Sequence, residues 1–340
     1  MRYPKNLKKG GTIGFIAPSF GCNTEPYKSA FDHAQVKLSA LGYGLELGPN
    51  CYEGSGIGIS NTPELCAKEI MDYYASESND VLISCGGGEL MCEDLDYLDF
   101  EALAEAEPKW FMGYSDNTNL SFLLATMCDT AAVYGPNAAA FGMEPWHPSL
   151  TAALGILTGE TQMVQGYDLY EKESLKDKEH PLAPYHVTEP VVRRRFPDRD
   201  TVISGRLIGG CMDCLVNFLG TKYDHVREFN ERYAEDGIIW FLEACDLSVL
   251  GIRRAIWQMK NAGWFEHVKG FLIGRPYYHG QEIMGLDQYR AVTDLLAGYQ
   301  VPILMDLDIG HIPPMMPLIV GSKATVMMTG NEIMVEMKKE

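Results

Sequence analysis

The sequence predicts an α/β protein in two parts: a parallel-sheet domain with helices on its faces, then a smaller β-rich α/β domain. Three observations carry this. Apolar runs of strand length alternate with helix-spaced segments over residues 1–160. The pattern then breaks down over residues 161–202 into polar, proline-bearing and charged sequence, including EKESLKDKEH, which reads as a linker or extended loop. From residue 203 to 340, strand-like runs outnumber helices. With 340 residues, 46% of them hydrophobic, the chain can bury a large core and is long for one domain.

In order along the first part, residues 12–17 (TIGFIA) read as a buried strand closed by the turn signal Pro18-Ser19. Helical spacing over 25–40 is followed by a strand at 43–47. Thr62 is a good cap and Pro63 a good first residue for the next helix. Residues 81–84 form a strand running into Gly86-Gly87-Gly88, and 110–112 a strand running into GYSDN. This βαβα rhythm implies a flavodoxin- or Rossmann-like sheet, with functional sites beyond the carboxyl ends of its strands. In the second part, 204–208, 237–242, 270–273, 302–305, 318–321, 324–328 and 332–337 read as strands. Only 248–262 and 286–298 read as strong helices.

Composition excludes several function classes. A formal net charge of −18 argues against nucleic acid or anionic lipid as partner, since phosphate binding depends on clustered Lys and Arg. The short basic run Arg193-Arg194-Arg195 reads as surface or interface. No window approaches the roughly 18–20 apolar residues of a membrane span, and residues 1–9 are too polar for a signal peptide, so a cytoplasmic location is expected. Nine cysteines without framework spacing suit reduced thiols. The one tight pair, Cys211 and Cys214 in CMDC, has no second pair and no histidine nearby in sequence. It reads as buried thiols, with no metal and no cofactor expected.

The segment Lys109-Trp110-Phe111-Met112-Gly113-Tyr114-Ser115-Asp116-Asn117 carries the chemistry. An aromatic strand enters a tight turn, a serine stands at its apex and a helix follows, which is the layout of a nucleophile elbow. The small residue usual two places after the serine is replaced by Asn117. By shape alone, a serine or Asp116 simply starting a helix is the competing reading. Glycines directly after a strand let backbone amides approach a ligand. The amides near Gly87 and of Asp116 are therefore candidates for an oxyanion hole, against the alternative of a plain tight turn. A serine needs a base. His311, in DLDIGHIPP, follows a strand and a glycine on a loop stiffened by Pro313 and Pro314, whereas most other histidines sit in polar loops. Asp306, Asp308 and His311 have a DxDxxH look, but no complementary cluster supports a metal there. An orienting carboxylate is expected at Glu243, which ends the apolar strand GIIWFL, with Asp246 as the alternative.

These residues resemble the LD-carboxypeptidase family of serine peptidases, which includes LD-carboxypeptidase A and the microcin C self-immunity proteins. The matching stretches are GGTIGFIAPS, ISCGGGELMCEDLDYLDF, KWFMGYSDNT, GRLIGGCMDCLVNFLGT, IIWFLEACD with RRAIWQMKNAGW, and GHIPPMMPLIVG. They run in the expected order from residue 10 to 321. The resemblance implies a Ser, Glu, His triad carried over to Ser115, Glu243 and His311, and a homodimer. It also implies either of two substrates, the murein tetrapeptide of cell-wall recycling or a peptidyl or aminoacyl nucleotide such as processed microcin C. An inactive module that binds a small peptide is the competing class. After the glycines the chain reads Glu89-Leu90-Met91, unlike the GGYG of LD-carboxypeptidases or the Asn and Ser of immunity proteins. Its length and its 161–202 insertion look more like the immunity branch, although that insertion holds no tryptophan for stacking a nucleobase and offers only Tyr185 instead.

Overall fold

A computed structural model describes residues 1–339. The chain forms two compact units: Met1–Thr161 with Glu173–His186, and Gln162–Lys172 with the chain from Val187 onward.

The first unit contains β1 (Thr12–Ile16), α1 (Tyr27–Ala40), β2 (Gly44–Leu47), α2 (Pro63–Ala75), β3 (Val81–Ser84), α3 (Phe100–Glu105), β4 (Trp110–Gly113), α4 (Thr118–Thr126), β5 (Ala132–Tyr134) and α5 (Pro148–Thr158). The strands pair in parallel in the order β2-β1-β3-β4-β5. This is the flavodoxin-like doubly wound order, whose direction reverses between β1 and β3. Sequence chemistry sets the helix starts: Thr62 accepts the Leu65 amide, with Pro63 at the first helical position of α2. β1, β3, β4 and β5 are buried on both faces while the edge strand β2 is partly exposed, and a core of Ile16, Ile70, Leu82, Phe111, Leu120 and Leu124 packs α2 and α4 against the sheet.

The second unit contains β6 (Met163–Gln165), β7 (Leu169–Glu171), β8 (Val187–Pro190), β9 (Arg194–Phe196), β10 (Thr201–Cys211), α6 (Met212–Leu215), α7 (Val226–Arg232), β11 (Ile238–Glu243), α8 (Val249–Asn261), β12 (Val268–Gly274), the short β13 (Glu282–Ile283) and β14 (Leu286–Asp287), α9 (Gln288–Leu296), β15 (Ile303–Leu307), β16 (Leu318–Val320), β17 (Lys323–Thr329) and β18 (Glu332–Lys338). Its main sheet runs β6-β18-β17-β10-β11-β12-β15-β9. The central four strands, β10, β11, β12 and β15, are mutually parallel, and antiparallel strands flank them on both sides.

Segment 161–202 carries β6 and β9 at the two edges of that sheet and the antiparallel pair β7–β8, while Glu173–His186 packs with the first unit. These strands are only three or four residues long, too short for a hydrophobic period to mark them. Arg193 also departs from its surface reading. Its side chain is buried because it reaches Asp308 and the carbonyls of Tyr167 and Asn331. Among the described residues no helix is long and apolar enough to cross a membrane.

Candidate active site

The serine lies where the switch-point rule places a site. The loops after β1, β3 and β4, three adjacent strands, come together at their carboxyl ends. Ser115 has φ +64°, an unfavourable left-handed conformation for a residue with a Cβ. Side-chain hydrogen bonds hold it there. The Asn117 amide donates to Gly86 O at 2.8 Å, Tyr114 O at 3.1 Å and Asn137 Oδ1 at 3.2 Å. The Ser115 amide donates to the Tyr134 hydroxyl at 3.3 Å. Asp116 accepts the Ser19 hydroxyl at 2.5 Å, the Met91 amide at 2.9 Å and the Asn119 amide at 3.0 Å, which fastens the elbow to the loops after β1 and β3.

Asn117 also explains the missing small residue. Its side chain fills the inside of the turn, and a Cβ on Gly113 would fall 2.8 Å from it, so the requirement for smallness moves to Gly113. A Cβ on Gly87 would fall 3.2 Å from both Cβ and Oγ of Ser115, so the glycine loop lies directly against the hydroxyl. Behind that loop, Asp94 is buried with no hydrogen-bond partner for either carboxyl oxygen among the described residues. Burial, and then the negative charge of Asp116, push its carboxyl up to about 9.

In the second unit, Glu243 ends β11 and His311 follows β15, and His311 Nδ1 lies 2.8 Å from Glu243 Oε2. Glu243 is fully buried, while the His311 side chain keeps 12% of its surface exposed. A carboxylate at Nδ1 fixes the tautomer with Nδ1–H as donor, which leaves Nε2 as the basic nitrogen. The close approach requires Gly310, whose φ is +104° and whose Cβ would stand 2.4 Å from Glu243 Oε2. The alternative carboxylate, Asp246, belongs to a different turn, where its amide and that of Cys245 both donate to the Asp213 carboxylate.

Cys211 completes this neighbourhood and was missed as a site residue. Its strand register sets it directly opposite Glu243, and Cys211, Glu243 and His311 each offer an atom within 4.8 Å of the others. A hydrogen bond with Cys214, then burial, then the charge of Glu243 hold its thiol well above the usual range. The only sequence signal was CMDC itself, read without a histidine because His311 is remote in the chain.

Asp306 and Asp308 serve other partners. Asp306 accepts from Gln288 at 2.6 Å and Tyr289 at 2.7 Å. Asp308 is buried between Arg193 and Arg275 and accepts the Tyr167 amide. Other histidines have structural work: His147 caps α5 and meets the Tyr185 ring at 5.6 Å, and His33 bonds Gly142 O.

Two family models match this chain, the LD-carboxypeptidase N-terminal domain over residues 13–135 and the LD-carboxypeptidase C-terminal domain over 204–326. The chain belongs to the LD-carboxypeptidase family. It is 27% identical over 331 residues, 95% of this chain and 91% of the other, to the Bacillus subtilis protein named "Probable murein peptide carboxypeptidase". It is 26% identical over 327 residues, 94% of this chain and 91% of the other, to the microcin C7 self-immunity protein MccF of Escherichia coli. Among solved structures, MccF in complex with aspartyl sulfamoyl adenosine superposes with a TM-score of 0.83 at 23% identity, covering 99% of both chains. An MccF-like protein of Bacillus anthracis gives 0.83 at 22% identity, covering 99% of this chain and 100% of that one. An LD-carboxypeptidase fold therefore carries both half-sites, each at the carboxyl ends of parallel strands.

Proposed function

We propose that this member of the LD-carboxypeptidase family is a serine carboxypeptidase that cleaves an amide next to a free carboxylate, the murein tetrapeptide being its first candidate substrate. The observation that carries the reading is the 2.8 Å contact between His311 and a fully buried Glu243, a base already oriented for proton transfer. In this reading Ser115 Oγ attacks the carbonyl carbon and its proton passes to His311 Nε2. Glu243 stabilises the imidazolium, and the amides near Gly87 and of Asp116 receive the oxyanion. The C–N bond then breaks as His311 returns the proton to the leaving amine. Water hydrolyses the acyl-serine by the same steps. The positive φ of Ser115 supports the assignment, because a strained serine persists only where its surroundings hold it in place.

The likeness to a protein named as a microcin C7 immunity protein favours a second substrate, a peptidyl or aminoacyl nucleotide. In both, the bond to be cleaved joins an acyl carbon to a nitrogen leaving group, so the same serine machinery serves either, although only the murein peptide's leaving group carries a free carboxylate. Incubating the protein with each substrate and following products by mass spectrometry separates them. Ser115→Ala should abolish hydrolysis with the fold retained, and unchanged turnover in that variant would refute the proposal. A serine-directed phosphonate should label Ser115, whereas an inactive peptide-binding module would not react. The homodimer implied by the family resemblance belongs to the same reading, and light scattering measures it.

A further inference from the structure

We propose that Cys211, Glu243 and His311 form a binding site for a thiophilic divalent cation, zinc being the physiological case, and that its occupancy switches the protein off. The three residues offer one sulfur, one imidazole nitrogen and one carboxylate oxygen within 4.8 Å of one another. That donor set suits zinc, which takes Cys, His and carboxylate ligands at about 2.0–2.3 Å in a tetrahedron, with the fourth position left to water. A small inward adjustment of side chains closes the set, because ligands around such an ion lie about 3–4 Å apart.

The backbone prepares the site. Parallel pairing of β10 and β11 puts Cys211 beside Glu243 at the strand ends, and Gly310 lets the segment bearing His311 pass close over the carboxylate. Cys211 and Glu243 are both buried, so an ion here would have low-dielectric surroundings in which its attraction to carboxylate and thiolate is strong. Binding displaces the thiol proton to solvent and forms the metal–sulfur bond, with no change of oxidation state. It also replaces the His311–Glu243 hydrogen bond by metal bonds: the Nδ1 proton is lost to solvent and the ring proton is carried on Nε2 instead, so Nδ1 holds the ion and the nitrogen needed as base is protonated. The site does not depend on the hydrolytic reading, although the inhibition does.

The test uses the full chain, stripped with a chelator and titrated with Co²⁺ as a spectroscopic substitute for Zn²⁺. One equivalent of Co²⁺ should give a sulfur-to-metal charge-transfer band in the near ultraviolet that Zn²⁺ abolishes by displacement. The band should be lost in Cys211→Ser and kept in Cys214→Ser. His311→Ala, a partly exposed position that should not disturb folding, should weaken binding at least tenfold. Absence of the band in the wild type, its survival in Cys211→Ser, its loss in Cys214→Ser or unchanged affinity in His311→Ala would each overturn the site. In the hydrolysis assay Zn²⁺ should inhibit the wild type at least tenfold more strongly than Cys211→Ser, with activity restored by chelator; equal inhibition of both overturns the switch. If no substrate is ever hydrolysed, the absorption result still stands on its own and only the functional reading fails.

Discussion

Gly87 and Ser115 lie so close that a single added methyl on the glycine would reach 3.2 Å from the serine hydroxyl. Gly87 is not among the residues of positive φ, so an alanine fits the backbone there and the effect falls on the hydroxyl rather than on the fold. We expect Gly87→Ala to lower kcat about 100- to 1000-fold, the range for losing one oxyanion donor. Its melting temperature should shift by only a few degrees. Steady-state kinetics beside a thermal melt check this, and normal kcat would separate the glycine loop from the chemistry.

The carboxylate partner of His311 gives a sharper discrimination. Glu243→Gln keeps the shape and removes the charge that steadies an imidazolium, so kcat should fall by about 10³–10⁴. Asp246→Asn, three residues along and bonded instead through the Asp213 turn, should stay within about twofold of wild type. A large loss in the Asp246 variant with a small one at Glu243 would reverse the assignment.

Gly310→Ala tests the approach of the two strand-end loops within the second unit. At φ +104° a Cβ is strained, and this one would also collide with Glu243 Oε2. We expect a stability loss of about 1–3 kcal/mol in denaturant titration and a fall in kcat of at least about 100-fold, because the carboxylate must leave His311.

Asp94 should make stability depend on pH. Its carboxyl titrates near 9 in the folded protein and near the ordinary 3.8 in the unfolded chain. The folded state therefore holds a proton that the unfolded state releases over that window, and stability falls as pH rises from about 4 to about 9. Asp94→Asn removes this slope. The variant should melt well above wild type at pH 8, by on the order of 5 kcal/mol at about 1.4 kcal/mol per pKa unit, and converge with it near pH 4. Equal differences at both pH values would show that Asp94 does not hold the proton.

The sequence by itself determined what is local: strand and helix periods, Thr62-Pro63 as a helix start, the glycines after β3, the serine at the end of β4, and the order of motifs that marks the family. Each depends on neighbours a few residues away, which a chain displays directly. Tertiary structure decided what depends on register and burial between distant segments. It put Glu243 rather than Asp246 against His311, 68 residues on. It buried Arg193 against Asp308, although a triple-arginine run looks like surface. It assigned Asn117 to fill the elbow and moved the small-residue requirement to Gly113. And it set Cys211 beside Glu243 through the pairing of β10 with β11. Shifting that register by one residue would turn those side chains to opposite faces of the sheet, and no local pattern in CMDC carries that information.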